Sequence, residues 1–244
     1  AALNALSVDM MKALADATAR LSHRDDLRVV VVAGAGEHFM AGGDLKDFAA
    51  HLHLSPESRL ATFRAMVEQY INQSVEALQA LPVPVVAQVR GACAGFGLSL
   101  VLGCDLVVAA DSAYFTTAYA SIALSGDGGV SWLAPRILGR RKAFELLLLA
   151  DRFDAAEALR LGVVNRVVPA AELDVAVADL LARILRGPGR TYGEIKGLLN
   201  ASPDQSLGAQ LQLEAEAFAR CTSRPDFDEG INAFLGKRKA RFNG

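Results

Sequence analysis

VPVVAQVRGACAGFGLSLVLGCDLVVAAD, residues 83–111, decides the fold class. VPVVAQVRG reads as a buried strand, FGLSLVLGC as a short buried helix between glycines, and DLVVAAD as a further strand. Upstream, RVVVVAG (28–34) is a run of four valines ended by glycine. It is expected to be a strand buried on both faces, as in a parallel sheet. Downstream, AYFTT (113–117) reads as a short strand and GVVNRVV (162–168) as a late one. Ser7 is placed to cap a helix over residues 8–22. Residues 35–50 form a Gly-rich loop leading to a short helix. Residues 56–81 read as one helix, closed by Pro82 and Pro84. From Trp132 onward the pattern is mostly helical, and Asp154–Glu157 and Asp226–Glu229 both have capping-box spacing. Strand and helix alternate, which makes the class α/β.

The chain has 244 residues, 52% of them hydrophobic. That is enough to bury a sizeable core and too apolar for a disordered chain. A net charge of −2 gives no reason to expect nucleic acid or an anionic membrane as a partner. Cys93, Cys104 and Cys221 are odd in number and lack C-x-x-C spacing, which argues against a disulfide framework or a zinc site. No apolar run approaches a membrane span. The opening AALNALSVDMMKAL lacks the basic stretch and cleavage site of a signal peptide. A cytoplasmic location is the expectation. The best linker candidate is Arg183–Gly193, with RGPGR at its centre. It suggests a core over 1–186 and a helical region over 187–244.

Two glycine-rich loops follow buried strands: FMAGGDL (39–45) and GACAGFGL (91–98). Each presents backbone N–H groups with little side-chain cover, the second at the start of a helix, where such donors are free. Side by side, two such loops can aim two donors at one oxygen. The same glycines also suit tight turns and close packing, and neither loop is a Walker A or dinucleotide fingerprint. A second oddity is ALSGDGGVSW (123–132). Asp127 is the only acidic residue between Ser112 and Leu138, a segment whose one other formal charge is Arg136. A carboxylate in such surroundings costs free energy unless it is paired or has work to do. Capping the helix that starts near Val130 is one use for it, and moving a proton is another.

FMAGGDL, the 83–111 segment, FTTAYASIALSGDGGVSWLAPRILG (115–139) and EALRLGVVNRVVP (157–169) together resemble the crotonase, or enoyl-CoA hydratase/isomerase, superfamily, in order and over nearly the whole chain. The resemblance implies a spiral of ββα units with a C-terminal helical region that builds a homotrimer or a dimer of trimers. It implies an acyl-CoA thioester as ligand, and no metal or cofactor beyond the CoA of the substrate. The two oxyanion donors carry over to the N–H groups of Gly43 and Phe96. Ala41, Asp44 and Leu45 fall where the family loop lines CoA. Ser99 and Tyr119 fall beside the acyl group, Ser99 equally suiting helix packing and Tyr119 a pocket wall or a hydrogen-bond donor, and Phe234 and Lys237 fall where a C-terminal segment reaches a neighbouring subunit's CoA. Leu124 and Trp132 are further candidates for the acyl pocket, Trp132 equally able to pack under its helix. Family members usually carry two strands ahead of the LNALS helix, which supply CoA contacts of their own.

The departures are informative. The two glutamates of the usual hydratases fall on Ser99 and Tyr119, neither acidic. Branches without those glutamates carry an Asp in the stretch that holds Asp127: the Δ3,Δ2-enoyl-CoA isomerases and the ring-opening isomerases of phenylacetyl-CoA breakdown. An allylic proton shift needs one base that takes a proton and returns it nearby, whereas hydration is easier with two groups. Asp127 as acid/base of an isomerase is therefore the leading expectation. Aryl-CoA dehalogenases of the family use an Asp here as nucleophile, with a histidine that EQYINQSVEALQALP (68–82) lacks. A catalytically silent CoA-binding scaffold is the remaining alternative. Ser99 has no matched base to make it a nucleophile, since His23, His38, His51 and His53 all precede the second loop.

Overall fold

Ser7 caps helix α1 (Val8–Ser22), accepting the Met10 N–H at 3.2 Å, in a computed structural model that describes residues 3–242. The valine run forms β1 (Val30–Ala33), and Asp44 caps the short α2 (Leu45–Ala49). The long helix expected over 56–81 comes in three parts. These are α3 (Pro56–Met66), a π-helical turn at Val67–Asn72 and α4 (Gln73–Ala80). Then follow β2 (Val85–Val89), β3 (Ala92–Ala94), α5 (Phe96–Leu102), β4 (Leu106–Ala110) and β5 (Tyr114–Thr116). A 3-10 turn at Tyr119–Ile122 leads into α6 (Val130–Leu138) and α7 (Arg140–Leu149). The chain continues through β6 (Phe153–Asp154), α8 (Ala155–Arg160) and β7 (Arg166–Val168). Helices α9 (Leu173–Leu185), α10 (Gly189–Ala201), α11 (Leu207–Thr222) and α12 (Pro225–Leu235) close it.

The main sheet is parallel throughout, in the order β1-β2-β4-β7. A small second sheet pairs β3 parallel to β5 and β5 antiparallel to β6. β2 and β4 are buried as their apolar runs demand, and α5 is buried on every side. β1 corrects the sequence reading. It is an edge strand, and Val31 is 40% exposed. A valine run reports a liking for the extended chain, but not whether a neighbour covers the strand. Among the described residues no helix is long and apolar enough to cross a membrane.

Two further expectations change. Asp154 caps α8, taking the Glu157 N–H at 2.8 Å, but Asp226–Glu229 is no capping box. Arg224 holds the cap position of α12 with Pro225 next, and Glu229 turns to the tail, where it pairs with Arg238 at 2.7 Å and accepts the Arg241 N–H. A fixed proline φ suits the first helical turn, and this overrides the D-x-x-E spacing. The Arg183–Gly193 segment is no extended linker either. It is helical up to Leu185 and again from Gly189, leaving residues 186–188 as the junction.

Helix α10 is tied to the core by a lysine that sequence reading passed over. Lys196 is buried, and its Nζ donates to the carbonyls of Leu78 (3.1 Å) and Val83 (3.3 Å) and pairs with Asp105 at 2.8 Å. Asp105 also accepts the Val85 N–H at 2.7 Å. Lys196→Ala leaves that carboxylate and two carbonyls without their cation. The expected loss is about 3 kcal/mol of stability, the usual cost of breaking a buried pair from one side. A lower urea midpoint at unchanged slope would report it.

Candidate active site

The two glycine loops meet. Met40 and Cys93 form a parallel bridge, with Ala94 N donating to Met40 O at 2.8 Å and Met40 N to Ala92 O at 2.9 Å. Gly95 lies so close to Gly42 that a Cβ on it would stand 3.2 Å from the Gly42 Cα. Its φ of 54° with ψ −126° is open only to glycine.

The backbone on either side aims two donors into one space. Gly42 O and Asp44 N both bond Leu6, at 2.7 and 3.0 Å. Successive amides of an extended chain alternate in direction, so the Gly43 N–H faces the other way. Phe96 opens α5 and has no carbonyl four residues back to bond. Neither N–H has an acceptor among the described residues. Gly43 and Phe96 both line a cavity of about 250 Å³, whose other walls include Leu6, Ala41, Leu45, Tyr119 and Asp127.

Asp127 stands where that cavity meets a second one of about 390 Å³. Tyr119, Leu124, Met11 and Phe48 also line both. The second chamber runs under the α3–α4 helix and is walled by Phe63, Met66, Val67, Glu68 and Asn72. Phe48 and Phe63 pack edge to face there, with ring centroids 5.2 Å apart. Sequence reading missed this wall. Phe63, Met66 and Val67 fall at helical spacing across the end of α3 and the π-helical turn, which was the available signal.

Asp127 is half-buried and caps nothing. The cap position of α6 is Gly129, and among the described residues no backbone N–H bonds the carboxylate. Its Oδ1 accepts the Tyr119 hydroxyl at 2.7 Å, and Ser99 Oγ lies 2.9 Å from that same hydroxyl. Burial pushes the Asp127 carboxyl above its ordinary value, and the Tyr119 hydrogen bond opposes part of that rise. Burial, then the neighbouring carboxylate, push the Tyr119 hydroxyl up as well, so it stays protonated.

Other expected site residues fall elsewhere. Ser99 is fully buried behind Tyr119 and lines neither chamber. Asp44 serves as the cap of α2, accepting the Lys46 N–H at 2.9 Å, and is not a wall residue. Trp132 is 42% exposed on the outside of α6, with the Arg136 guanidinium 3.7 Å above its ring. It is not part of the pocket, because α6 turns its other face, with Val130 and Ala134, to the core. Phe234 is exposed on α12 and Lys237 lies just beyond it, and neither reaches a chamber within this chain.

The sequence model of the enoyl-CoA hydratase/isomerase family matches residues 1–244. The 1,2-epoxyphenylacetyl-CoA isomerase of Escherichia coli is 34% identical over 99% of this chain and 91% of its own. The 4-chlorobenzoyl coenzyme A dehalogenase-2 of an Arthrobacter species is 29% identical over 96% of this chain and 83% of its own. The crystal structure of an enoyl-CoA hydratase from Polaromonas sp. JS666 superposes with a TM-score of 0.90 at 34% identity, covering 99% of this chain and 92% of that one. With sequence and backbone agreeing from end to end, the chain belongs to the enoyl-CoA hydratase/isomerase family and has the crotonase fold.

Proposed function

We propose that the protein is an acyl-CoA isomerase in which the Gly43 and Phe96 N–H groups hold the thioester oxygen and Asp127 moves a proton between carbons of the acyl chain. The observation that carries this reading is a half-buried carboxylate, raised above its ordinary value by burial, in the same cavity as two amides without acceptors. Removing a proton beside a thioester carbonyl puts negative charge on its oxygen, and two fixed donors stabilise that charge where it develops. Asp127 takes the proton from one carbon and gives it back at another, which shifts the double bond with no net gain or loss of atoms.

Hydration is the poorer fit. Of the carboxylates on the chamber walls, Glu68 is exposed and paired with Arg64 at 2.7 Å, so Asp127 has no second base beside it. The acyl group extends past Asp127 into the second chamber, whose Phe48, Phe63 and Met66 suit an aromatic or medium-length apolar chain. CoA leaves the first cavity past Ala41 and Leu45, and needs no metal or further cofactor. Assembly into a homotrimer, or a dimer of such trimers, brings Phe234 and Lys237 of one subunit to the CoA of the next.

The test is a panel of 2-enoyl, 3-enoyl and arylacetyl CoA thioesters incubated in D₂O and read by mass spectrometry and product analysis. Isomerisation or deuterium uptake by one class supports the reading and names the acyl group. Halide release from a haloaryl thioester through a trapped aspartyl ester would replace it with nucleophilic catalysis. Binding without any reaction would make the protein a scaffold.

A further inference from the structure

The two positions that break the hydratase pattern are joined to the one that replaces it. Ser99 comes from α5, Tyr119 from the 3-10 turn and Asp127 from the loop before α6, yet their oxygens form one chain with steps of 2.9 and 2.7 Å. The direction of that chain follows from its donors. An ionised carboxylate only accepts, so Tyr119 gives its single proton to Asp127, and Ser99 must then donate to Tyr119. The other carboxylate oxygen, Oδ2, has no partner among the described residues.

The surrounding backbone is built to keep this chain in register. The Tyr119 turn is bracketed by Ala118 and Ala123, both left-handed at φ 57° and 59°. Left-handed backbone is strained for a residue with a Cβ, so the packing around the turn must hold both alanines there. Thr117 on the neighbouring strand end donates to Leu146 O of α7 at 2.7 Å, which anchors the approach to the turn. On the Asp127 side, Gly128 passes so close to α5 that a Cβ there would come 2.7 Å from the Phe96 ring and 3.0 Å from the Ser99 Cβ. Three elements are thus pressed together around two hydroxyls and a carboxylate.

We propose that Tyr119 is a positioning residue: backed by Ser99, it holds one oxygen of Asp127 and leaves the other turned to the chambers to receive the proton. This rests on Asp127 being the acid/base. Tyr119 touches the base and acts through it. Its donated hydrogen bond favours the ionised carboxylate, offsetting part of what burial does in the other direction. Among the described residues, the remaining charged groups on the chamber walls are Arg64 and Glu68 of the α3–α4 helix, paired with each other; α5 contributes none, and no histidine or lysine lines either chamber.

The experiment compares Tyr119→Phe, Ser99→Ala and Asp127→Asn with the natural protein, by pH-dependent kinetics and by titration of ¹³C-carboxyl aspartate. The Asp127 resonance is assigned by its loss in Asp127→Asn. Tyr119→Phe is expected to lower kcat about 10- to 100-fold, the scale of one hydrogen bond to a charged group, with KM nearly unchanged. The acid limb of kcat/KM and the ¹³C titration both move to higher pH. Ser99→Ala shifts both the same way by less, and carries the test if Tyr119→Phe fails to fold. An unmoved ¹³C titration overturns the proposal whether or not the enzyme is active, as does a lower melting temperature with an unmoved acid limb. Full activity of Asp127→Asn would instead overturn the isomerase reading, and the titration would still decide whether Tyr119 holds Asp127.

Discussion

Asp127→Asn is expected to lower kcat for isomerisation by about 10³-fold, the usual scale for a positioned acid/base, with KM changed little. The amide keeps the shape and still accepts from Tyr119, but it cannot take a proton. The natural enzyme needs Asp127 ionised to start the reaction, so its rate falls as pH drops through the raised carboxyl value. Stability runs the other way. The folded protein binds this proton more tightly than the unfolded chain does. Its contribution is therefore full below the ordinary carboxylate value and is lost as pH rises through the raised one. At neutral pH the carboxylate is a cost to the fold, and Asp127→Asn should melt no lower than the natural protein. A variant that is inactive and also much less stable would point to a structural role.

Gly95→Ala is expected to cost about 10²- to 10³-fold in kcat/KM, the scale of losing one preorganised oxyanion donor. The methyl group cannot simply be added. It would crowd the Gly42 Cα at 3.2 Å, and alanine resists the local φ of 54° with ψ −126°. The chain relieves both by rotating, which swings the Phe96 N–H out of line with that of Gly43. Asp127 is untouched, so the pH profile keeps its shape while its height falls. A variant with natural kcat/KM would show that the Phe96 amide does not serve the reaction.

The main sheet was legible because β2, α5 and β4 are apolar runs punctuated by glycines, with lengths that suit a strand, a short helix and a strand. β3 escaped because Ala92, Cys93 and Ala94 are small residues set between glycines, without the β-branched or aromatic side chains that mark β5 and β7, and β6 because two residues are too few to carry a period. The edge position of β1 is a property of its neighbours and not of its valines. In the site, Gly43, Phe96 and Asp127 line one cavity, the first two from the glycine loops and Asp127 from the stretch that the family resemblance singled out. Trp132 did not follow, since an aromatic on a short helix packs outward as readily as inward when an arginine lies one turn away. The bond between Ser99 and Tyr119 could not be read, because 20 residues separate them and neither hydroxyl marks its partner. The second chamber was overlooked because its walls, Phe63 and Met66 above all, sit on a helix whose spacing looks like ordinary packing.

The Lys196 tie also sets a schedule for biosynthesis. Asp105 and the carbonyls of Leu78 and Val83 emerge from the ribosome roughly 90 residues or more before the ammonium that joins them. At ordinary elongation rates that is a wait of roughly 5–20 s. Through that interval the nascent sheet lacks α10 on this side, and β7 as well until residue 168 is made, leaving a carboxylate and two carbonyls to water. Chains arrested before residue 196 are expected to be cut readily by protease between β2 and β4, and chains arrested late enough to free α10 are expected to resist. The last helices thus act as the latch that turns a translated core into a finished one.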